Sequence, residues 1–115
     1  MQVQVRTDNH IPNSAELVDR VRDEVEGALA ERYHGQIRRV DVHIQDLNGH
    51  KHGVDKRCTI EVNLDGHGPV AAENKSVSVD DAVSGAVDKV LRGLEHTLGR
   101  LRDKGGRVSM SGEET

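Results

Sequence analysis

The chain has 115 residues, a single tyrosine, no phenylalanine or tryptophan, and a formal net charge of −4 at pH 7. This length fits one domain of ordinary size. The near absence of aromatic side chains argues against proteins that stack single-stranded nucleic acid or flipped bases on aromatic rings. The net acidity argues against a general nucleic-acid coat, whose affinity comes mostly from neutralising phosphates.

Cysteine usage and hydropathy bear on the compartment. Cys58 is the only cysteine, so an internal disulfide is impossible and a reducing compartment is expected. No apolar run approaches the ~20 residues that span a membrane. The start of the chain lacks the basic opening and apolar stretch of a signal peptide. The sequence therefore predicts a cytoplasmic protein that does not bind a membrane.

A strand pattern followed by a helix pattern opens the chain. Residues 2–7 alternate polar and apolar side chains, as a half-buried strand does. Asn13 with Glu16 three residues later fits a capping box. Apolar residues then recur mostly at every fourth position as far as about Tyr33. These features predict an amphipathic helix over about residues 13–34.

Three further strands are predicted in the middle of the chain. Residues 39–47 and 57–64 alternate polar and apolar side chains, and residues 48–55 between them form a polar stretch that predicts a long hairpin loop. A turn beginning at Asp65-Gly66 precedes a weaker strand pattern around residues 70–75. The side chains of the first two patterns that are expected to face a core are Val40, Val42, Ile44, Leu47, Cys58, Ile60, Val62 and Leu64.

The clearest element is a helix that begins after Ser78. Ser78 followed by Asp81 fits a second capping box, and an apolar stripe at helical spacing continues from Ala82 to Leu101. A glycine in a helix interior costs about 1 kcal/mol relative to alanine, so close packing or tolerated softness is expected at Gly85, Gly93 and Gly99. Gly105-Gly106 is expected to end the helix, with residues 106–115 as a flexible polar tail.

The order of elements predicts the fold class. Each strand has one apolar face and each helix one apolar stripe, which a single sheet covered on one side by two helices satisfies. A right-handed crossover through the first helix would make the first two strands parallel. We therefore expect an α+β fold: a two-layer β-α-β-β-β-α sandwich with a four-stranded sheet and both helices on one face. We expect it to form a single domain over residues 1–105.

Charge is distributed unevenly along the chain. Residues 13–34 hold six acidic residues against three arginines, whereas residues 89–107 hold six basic residues against two acidic ones. One interpretation is a surface that contacts phosphates. The other is a solvated helix end whose cations complement the helix dipole. Both remain open at this point. A second basic group consists of Arg38, Arg39, Lys51, Lys56 and Arg57.

The segment 78–94, with Asp88-Lys89 followed by Arg92, resembles the ribosome hibernation-promoting factor and ribosome-associated inhibitor family, formerly called sigma-54 modulation proteins. The run from Tyr33 through residues 37–42 is also similar to this family. The resemblance implies a short-form, single-domain, non-catalytic factor. Such a factor occupies the messenger and transfer RNA decoding channel of the small ribosomal subunit, contacts ribosomal RNA and ribosomal proteins, and inhibits translation in stationary phase or stress.

The resemblance implies RNA contacts at Lys89, Arg92 and Arg100, to which the charge clusters add further candidates, and it shows where this chain departs from the family. His96 and Leu98 stand where lysines are usual in the last helix, and Asp23, Glu24 and Glu26 replace lysines of the first helix. An alternative is therefore a divergent paralogue that acts as a protein–protein interaction module without ribosome binding. The residues expected to contact RNA are Lys89, Arg92, Arg100, Arg102, Arg38, Arg39, Lys51 and Lys56.

Other chemistry finds little support. The chain has no GxSxG, Walker-type, GxGxxG or HExxH motif, so no enzyme activity, cofactor or small-molecule substrate is expected; self-association is left open. His43, His50 and His52 with Cys58 match no zinc spacing, and Cys58 alternates with core positions, so no metal site is predicted. Protonation of all seven histidines would change the formal charge from −4 to +3. Acid pH is therefore hypothesised to strengthen RNA binding.

Overall fold

A computed structural model describes residues 1–8, 11, 14–47 and 55–108, with side chains described as far as Arg100. The elements follow the predicted order. No helix in these ranges is long and apolar enough to cross a membrane. The elements are β1 (Gln2–Thr7), α1 (Ala15–Tyr33), β2 (Ile37–Asp46), β3 (Lys56–Leu64), β4 (Val70–Ser76) and α2 (Val79–Val108).

The four strands form one mixed sheet in the order β1-β2-β3-β4. β1 is parallel to β2, as the predicted crossover requires, and the other two pairs are antiparallel. The register places Val3 beside Val40, Val40 beside Val62 and Val62 beside Val70. Because residues directly opposite each other share a face of the sheet, these valines build one apolar face, and both helices cover it.

The core between this face and the helices consists of aliphatic side chains and one thiol. Tyr33, the single aromatic residue, packs at its margin and is half-buried. Full burial of one aliphatic side chain stabilises a fold by about 1.5–3 kcal/mol, so the interior needs no aromatic rings. Cys58 is fully buried among its neighbours, as the strand alternation predicts. Helix side chains in the core include Leu17, Val21, Val25, Leu29, Ala82, Val83, Ala86, Val87, Val90 and Leu94.

A serine hydroxyl caps the N-terminus of each helix. One of the two predicted N-caps is wrong. The N-cap of α1 is Ser14, whose Oγ accepts a hydrogen bond from the Leu17 amide at 3.1 Å; Asn13 lies outside the described residues. An N-cap oxygen bonds the amide two or three positions ahead, and Ser14 supplies this geometry to the first buried leucine. The predicted cap of α2 is confirmed, because Ser78 Oγ accepts from the Asp81 amide at 3.1 Å.

Two further predictions fail near element ends. Leu47 is 42% exposed, and Asp46 occupies the buried position instead. From Val40 onward, the even-numbered side chains of β2 point inward, so Leu47 points outward. α2 continues to Val108, so Gly105-Gly106 does not end it. Glycine weakens a helix by about 1 kcal/mol without removing its backbone hydrogen bonds. The predicted tail lies mainly in residues 109–115, outside the described part.

Two glycines let α2 lie close to the edge strand β4. A Cβ added at Gly85 would come within 2.6 Å of Asn74 Cγ, and one at Gly93 within 3.1 Å of Val70 Cγ1. Among the described residues, a Cβ at Gly99 would meet nothing within 4 Å. The close-packing interpretation therefore holds for Gly85 and Gly93 and not for Gly99.

Candidate nucleic-acid interface

Three exposed cations and one exposed histidine lie on a single side of α2. Lys89, Arg92, His96 and Arg100 follow each other at spacings of three, four and four residues, which places them on one face of a helix. We call these four residues the α2 row. Within the described part of the chain, none of its three cations forms an ion pair with a carboxylate. Lys89 Nζ donates to the backbone carbonyl of Glu73 at 3.3 Å.

The α2 row runs along the β4 edge of the molecule. Lys89 reaches a β4 carbonyl, and the α2 glycines on the same side approach Asn74 and Val70 of β4. The opposite side of α2 is acidic and turns toward α1, where Asp80 pairs with Arg20 at 3.1 Å and Glu95 pairs with Arg32 at 3.4 Å. The helix therefore separates its charges, with acidic groups toward α1 and basic groups toward the outer edge.

The outer side of α1 is acidic because the three arginines of this helix are held in ion pairs. Two of its arginines reach across to α2, and the third, Arg22, pairs with Asp19 at 3.1 Å. Glu16, Asp23 and Glu26 are exposed and have no ion-pair partner among the described residues. α1 therefore offers carboxylates, not cations, to anything that approaches from outside.

Glu24 lies closer to the contact between the two helices. Burial raises the pKa of its carboxyl, and the nearby carboxylates of Asp80 and Asp88 raise it further, against the opposing effect of Arg20. The acidic sides of α1 and α2 therefore repel each other at this point, and the Arg20–Asp80 ion pair offsets part of that repulsion.

Arg38 and Arg39, predicted to contact RNA, already contact carboxylates. Arg38 pairs with Asp65 of the β3–β4 turn at 3.1 Å and is 74% exposed. Arg39 pairs with Asp41 at 3.0 Å on the face of the sheet away from the helices and also donates to the side chain of Gln4. Arg39 therefore lies on a different face of the molecule from the α2 row.

Lys56, also predicted to contact RNA, lies in an internal ion pair. Its Nζ is 2.9 Å from Asp55 Oδ1 and 3.5 Å from Asp46 Oδ2, and both carboxylates are buried. The hydrogen bond to Asp55 is the main cause that raises the pKa of the lysine. The ammonium group neutralises carboxylates at the ends of β2 and β3. We therefore interpret Lys56 as a structural residue.

The face of the sheet away from the helices carries mixed charge that the sequence prediction left out. Arg57 on this face donates to Gln45 Oε1 at 3.0 and 2.9 Å and lies 3.6 Å from Glu73. Burial lowers the pKa of the neighbouring His43, and the charge of Arg6 lowers it further. A shallow depression of about 470 Å³ lies beside Arg57. Alternation along the strands predicts that these side chains share a face, but not which carboxylates neutralise them.

Several candidate residues lie where the structure gives no side-chain description. Lys51, His50 and His52 fall outside the described residues, and Arg102 belongs to α2 beyond the last described side chain. Among the residues that are described, no three histidine, cysteine, aspartate or glutamate side chains are placed to hold a metal ion. Cys58 is fully buried in the core, and this burial raises the pKa of its thiol to about 12.

The fold and the α2 row define a two-layer α+β domain with one cationic edge. Residues 3–102 match the protein family described as Sigma 54 modulation protein / S30EA ribosomal protein, and the chain belongs to this family. The family resemblance of the sequence is therefore confirmed. No curated protein sequence matches the chain.

Solved structures share the architecture. The chain is similar to the N-terminal domain of Protein Y from Thermus thermophilus, with a TM-score of 0.66 and 22% identity over 84% of this chain and 99% of that one. It is also similar to a ribosomal subunit interface protein from Coxiella burnetii, with a TM-score of 0.61 and 18% identity over 90% of this chain and 99% of that one. At this identity the likeness supports the fold, and the predicted α+β sandwich is confirmed.

Proposed function

We propose that this protein binds the ribosome and inhibits translation by occupying the messenger and transfer RNA channel of the small subunit. Membership of the family supports association with ribosomes, as do similar structures named Protein Y and ribosomal subunit interface protein. The observation that carries the proposal for this chain is the α2 row, whose three cations are exposed and not paired with carboxylates in the described part of the chain.

The physical properties of the α2 row suit structured RNA. From Lys89 to Arg100 the row extends about 16 Å along the helix axis at 1.5 Å per residue. Structured RNA is recognised largely by shape, phosphates and sugar hydroxyls, which requires cations on a rigid element and no aromatic platform. A protein that is acidic in total therefore binds RNA through one edge while its acidic α1 faces away from phosphate.

Of the other residues predicted to contact RNA, all but Lys56 are kept as proposed contacts. Arg102 belongs to α2 two residues after Arg100 and stays a proposed RNA contact outside the α2 row. Arg38 and Arg39 contact phosphate after exchanging their present carboxylate partners, and Lys51, which lies outside the described residues, is a further proposed contact. Lys56 has no part in the RNA contact, because its charge already neutralises two buried carboxylates.

A second candidate function is a protein-interaction module without ribosome binding. The observation that favours it is the outer side of α1, where Glu16, Asp23 and Glu26 are exposed without ion-pair partners in the described part of the chain. Basic polypeptides would bind this surface, and RNA would avoid it. The cations of the α2 row, which have no carboxylate partner in the described part of the chain, give the ribosome proposal the stronger support.

Fractionation separates the two functions. Purified protein is mixed with separated small and large ribosomal subunits at low salt, and bound protein is measured after sedimentation through sucrose. We expect sedimentation with the small subunit, and inhibition of a cell-free translation reaction over the same concentration range. Sedimentation with neither subunit, together with capture of one discrete basic protein from a stationary-phase lysate, would support the interaction module instead.

A further inference from the structure

The α2 row has a histidine in its middle. His96 is exposed and lies one helical turn after Arg92 and one turn before Arg100. At 100° per residue, the four members of the row fall within an arc of about 80° around the helix. A phosphate strand that contacts the cations on both sides of His96 must therefore pass over its imidazole.

We infer that His96 is a phosphate-binding residue of the α2 row that contributes only as imidazolium, so that RNA binding takes up a proton; this rests on the proposed function. A neutral imidazole has one N–H and no charge, whereas the imidazolium donates from both ring nitrogens and carries a full positive charge. Only the charged form neutralises a phosphate and releases a counterion. Histidine is the side chain that changes between these forms near physiological pH.

The surroundings of His96 leave its ring available to an incoming phosphate. On its own helix Arg92 and Arg100 flank it, and the adjacent Glu95 is turned toward Arg32 of α1 at 3.4 Å. No hydrogen bond or ion pair of His96 occurs within the described part of the chain.

The neighbouring β4 side supplies no free carboxylate to His96. On β4, the backbone carbonyl of Glu73 accepts a hydrogen bond from Lys89, and the Glu73 carboxylate lies 3.6 Å from Arg57. In the β3–β4 turn, Asp65 pairs with Arg38 and the ring Nδ1 of His67 lies 2.9 Å from the Gly68 carbonyl. The negative charge that favours the imidazolium therefore comes from the RNA, and protonation and binding strengthen each other.

The sign and size of the effect follow from counterion release. One additional phosphate contact steepens the dependence of the logarithm of the association constant on the logarithm of salt concentration by about 0.7–0.9. At about 0.15 M salt this strengthens binding roughly fivefold. The affinity rises as the pH falls through the range where histidine gains its proton and levels off below that range. The other described histidines, His34, His43 and His67, do not lie in the row.

The test measures binding of small ribosomal subunits at about pH 7.5 and about pH 5.5 over a potassium chloride series. Wild type should bind roughly fivefold more tightly at the lower pH, with the steeper salt dependence. His96→Gln should lose most of that gain, and His96→Lys should bind at both pH values as wild type does at the lower one. His67→Gln, which removes another exposed histidine, should retain the full gain.

Calorimetry in buffers of different ionisation enthalpy supplies a second readout, because the wild type should take up protons on binding and His96→Gln should not. Equal wild-type affinity at both pH values, or a full pH gain in His96→Gln, would overturn the role of His96 while the ribosome proposal stands. Absence of subunit binding at either pH and at low salt would overturn both.

Discussion

At the scale of single residues, the contact between α2 and β4 depends on the absence of a side chain at Gly85. A Cβ there would come within 2.6 Å of Asn74 Cγ. The Asn74 amide donates to the carbonyls of Asp81 and Ala82 at 3.3 and 3.5 Å, so its movement would disturb the first turn of α2. At Gly99 a Cβ meets nothing within 4 Å in the ranges that the structure describes, so Gly99 shows no such role there.

The paired substitutions Gly85→Ala and Gly99→Ala test this difference. Overpacking at Gly85 should lower the free energy of unfolding by about 1–3 kcal/mol. Gly99→Ala should raise it by up to about 1 kcal/mol, because alanine is the better helix former. Urea denaturation followed by circular dichroism measures both. Equal effects of the two substitutions would show that α2 does not pack closely on β4.

The thiol of Cys58 provides a second prediction at this scale. Burial raises its pKa to about 12, above the ordinary thiol value, so the thiolate is scarce at mildly alkaline pH and the thiol lacks access to reagent. Native protein at about pH 8 should react with Ellman's reagent at least tenfold more slowly than protein unfolded in guanidinium. Rapid, complete labelling of native protein would contradict the buried position of Cys58 in β3.

At the scale of elements, α2 combines three functions along its length. Its apolar stripe fills the core, its acidic side forms ion pairs with Arg20 and Arg32 of α1, and its opposite side carries the α2 row. Exposed ion pairs of this kind contribute about 0–1 kcal/mol each, so they orient the charges of the two helices more than they stabilise the fold. The apolar contacts of the stripe supply most of the stability.

The start of α2 depends on its cap. Ser78→Ala removes the oxygen that accepts from the Asp81 amide and should lower the free energy of unfolding by about 1 kcal/mol, within the usual range of 0.5–2. Ser84→Ala, at an exposed position inside the same helix, should leave it unchanged or slightly raised. Thermal and urea unfolding give the comparison, and an equal response of the two variants would argue against the cap.

At the scale of the whole molecule, a net charge of −4 conceals two edges of opposite character. The β4 edge carries the α2 row and the outer side of α1 carries free carboxylates. A field of this kind orients the protein as it approaches a polyanion, with α2 leading and α1 trailing. Under the proposed function, α2 contacts RNA, and the acidic first helix need not face it, although in the sequence that helix looks like a departure from ribosome binding.

Most of the fold follows from periodicity, and most of the site details do not. Alternation in the strands and the four-residue spacing in α1 identify the elements, because one face of each must be buried. The choice of Ser14 over Asn13 as N-cap depends on the residue at which the backbone enters the helix. Two adjacent residues that can both cap a helix do not reveal this. The basic residue pattern of α2 likewise indicates a cationic side.

Charge pairing is the part that sequence cannot supply. Lys56 and Lys89 look equivalent as exposed basic candidates in the sequence, but only contacts between distant residues distinguish them. Lys56 contacts the carboxylates of Asp46 and Asp55 because the start of β3 lies beside the end of β2. Within the described part of the chain, Lys89 contacts only a β4 carbonyl, and no carboxylate there neutralises its charge.

The most direct measurement compares two variants that remove the same charge from different places. Lys89→Ala/Arg92→Ala removes two cations of the α2 row, and Arg6→Ala/Lys75→Ala removes two exposed cations from the sheet face away from the helices. Binding to small ribosomal subunits is measured over a potassium chloride series. The row variant should bind more weakly, with a salt slope reduced by about 0.7–0.9 for each lost phosphate contact, and the control should bind as wild type does. Equal binding of the row variant and wild type at every salt concentration would contradict the assignment of the α2 row to RNA.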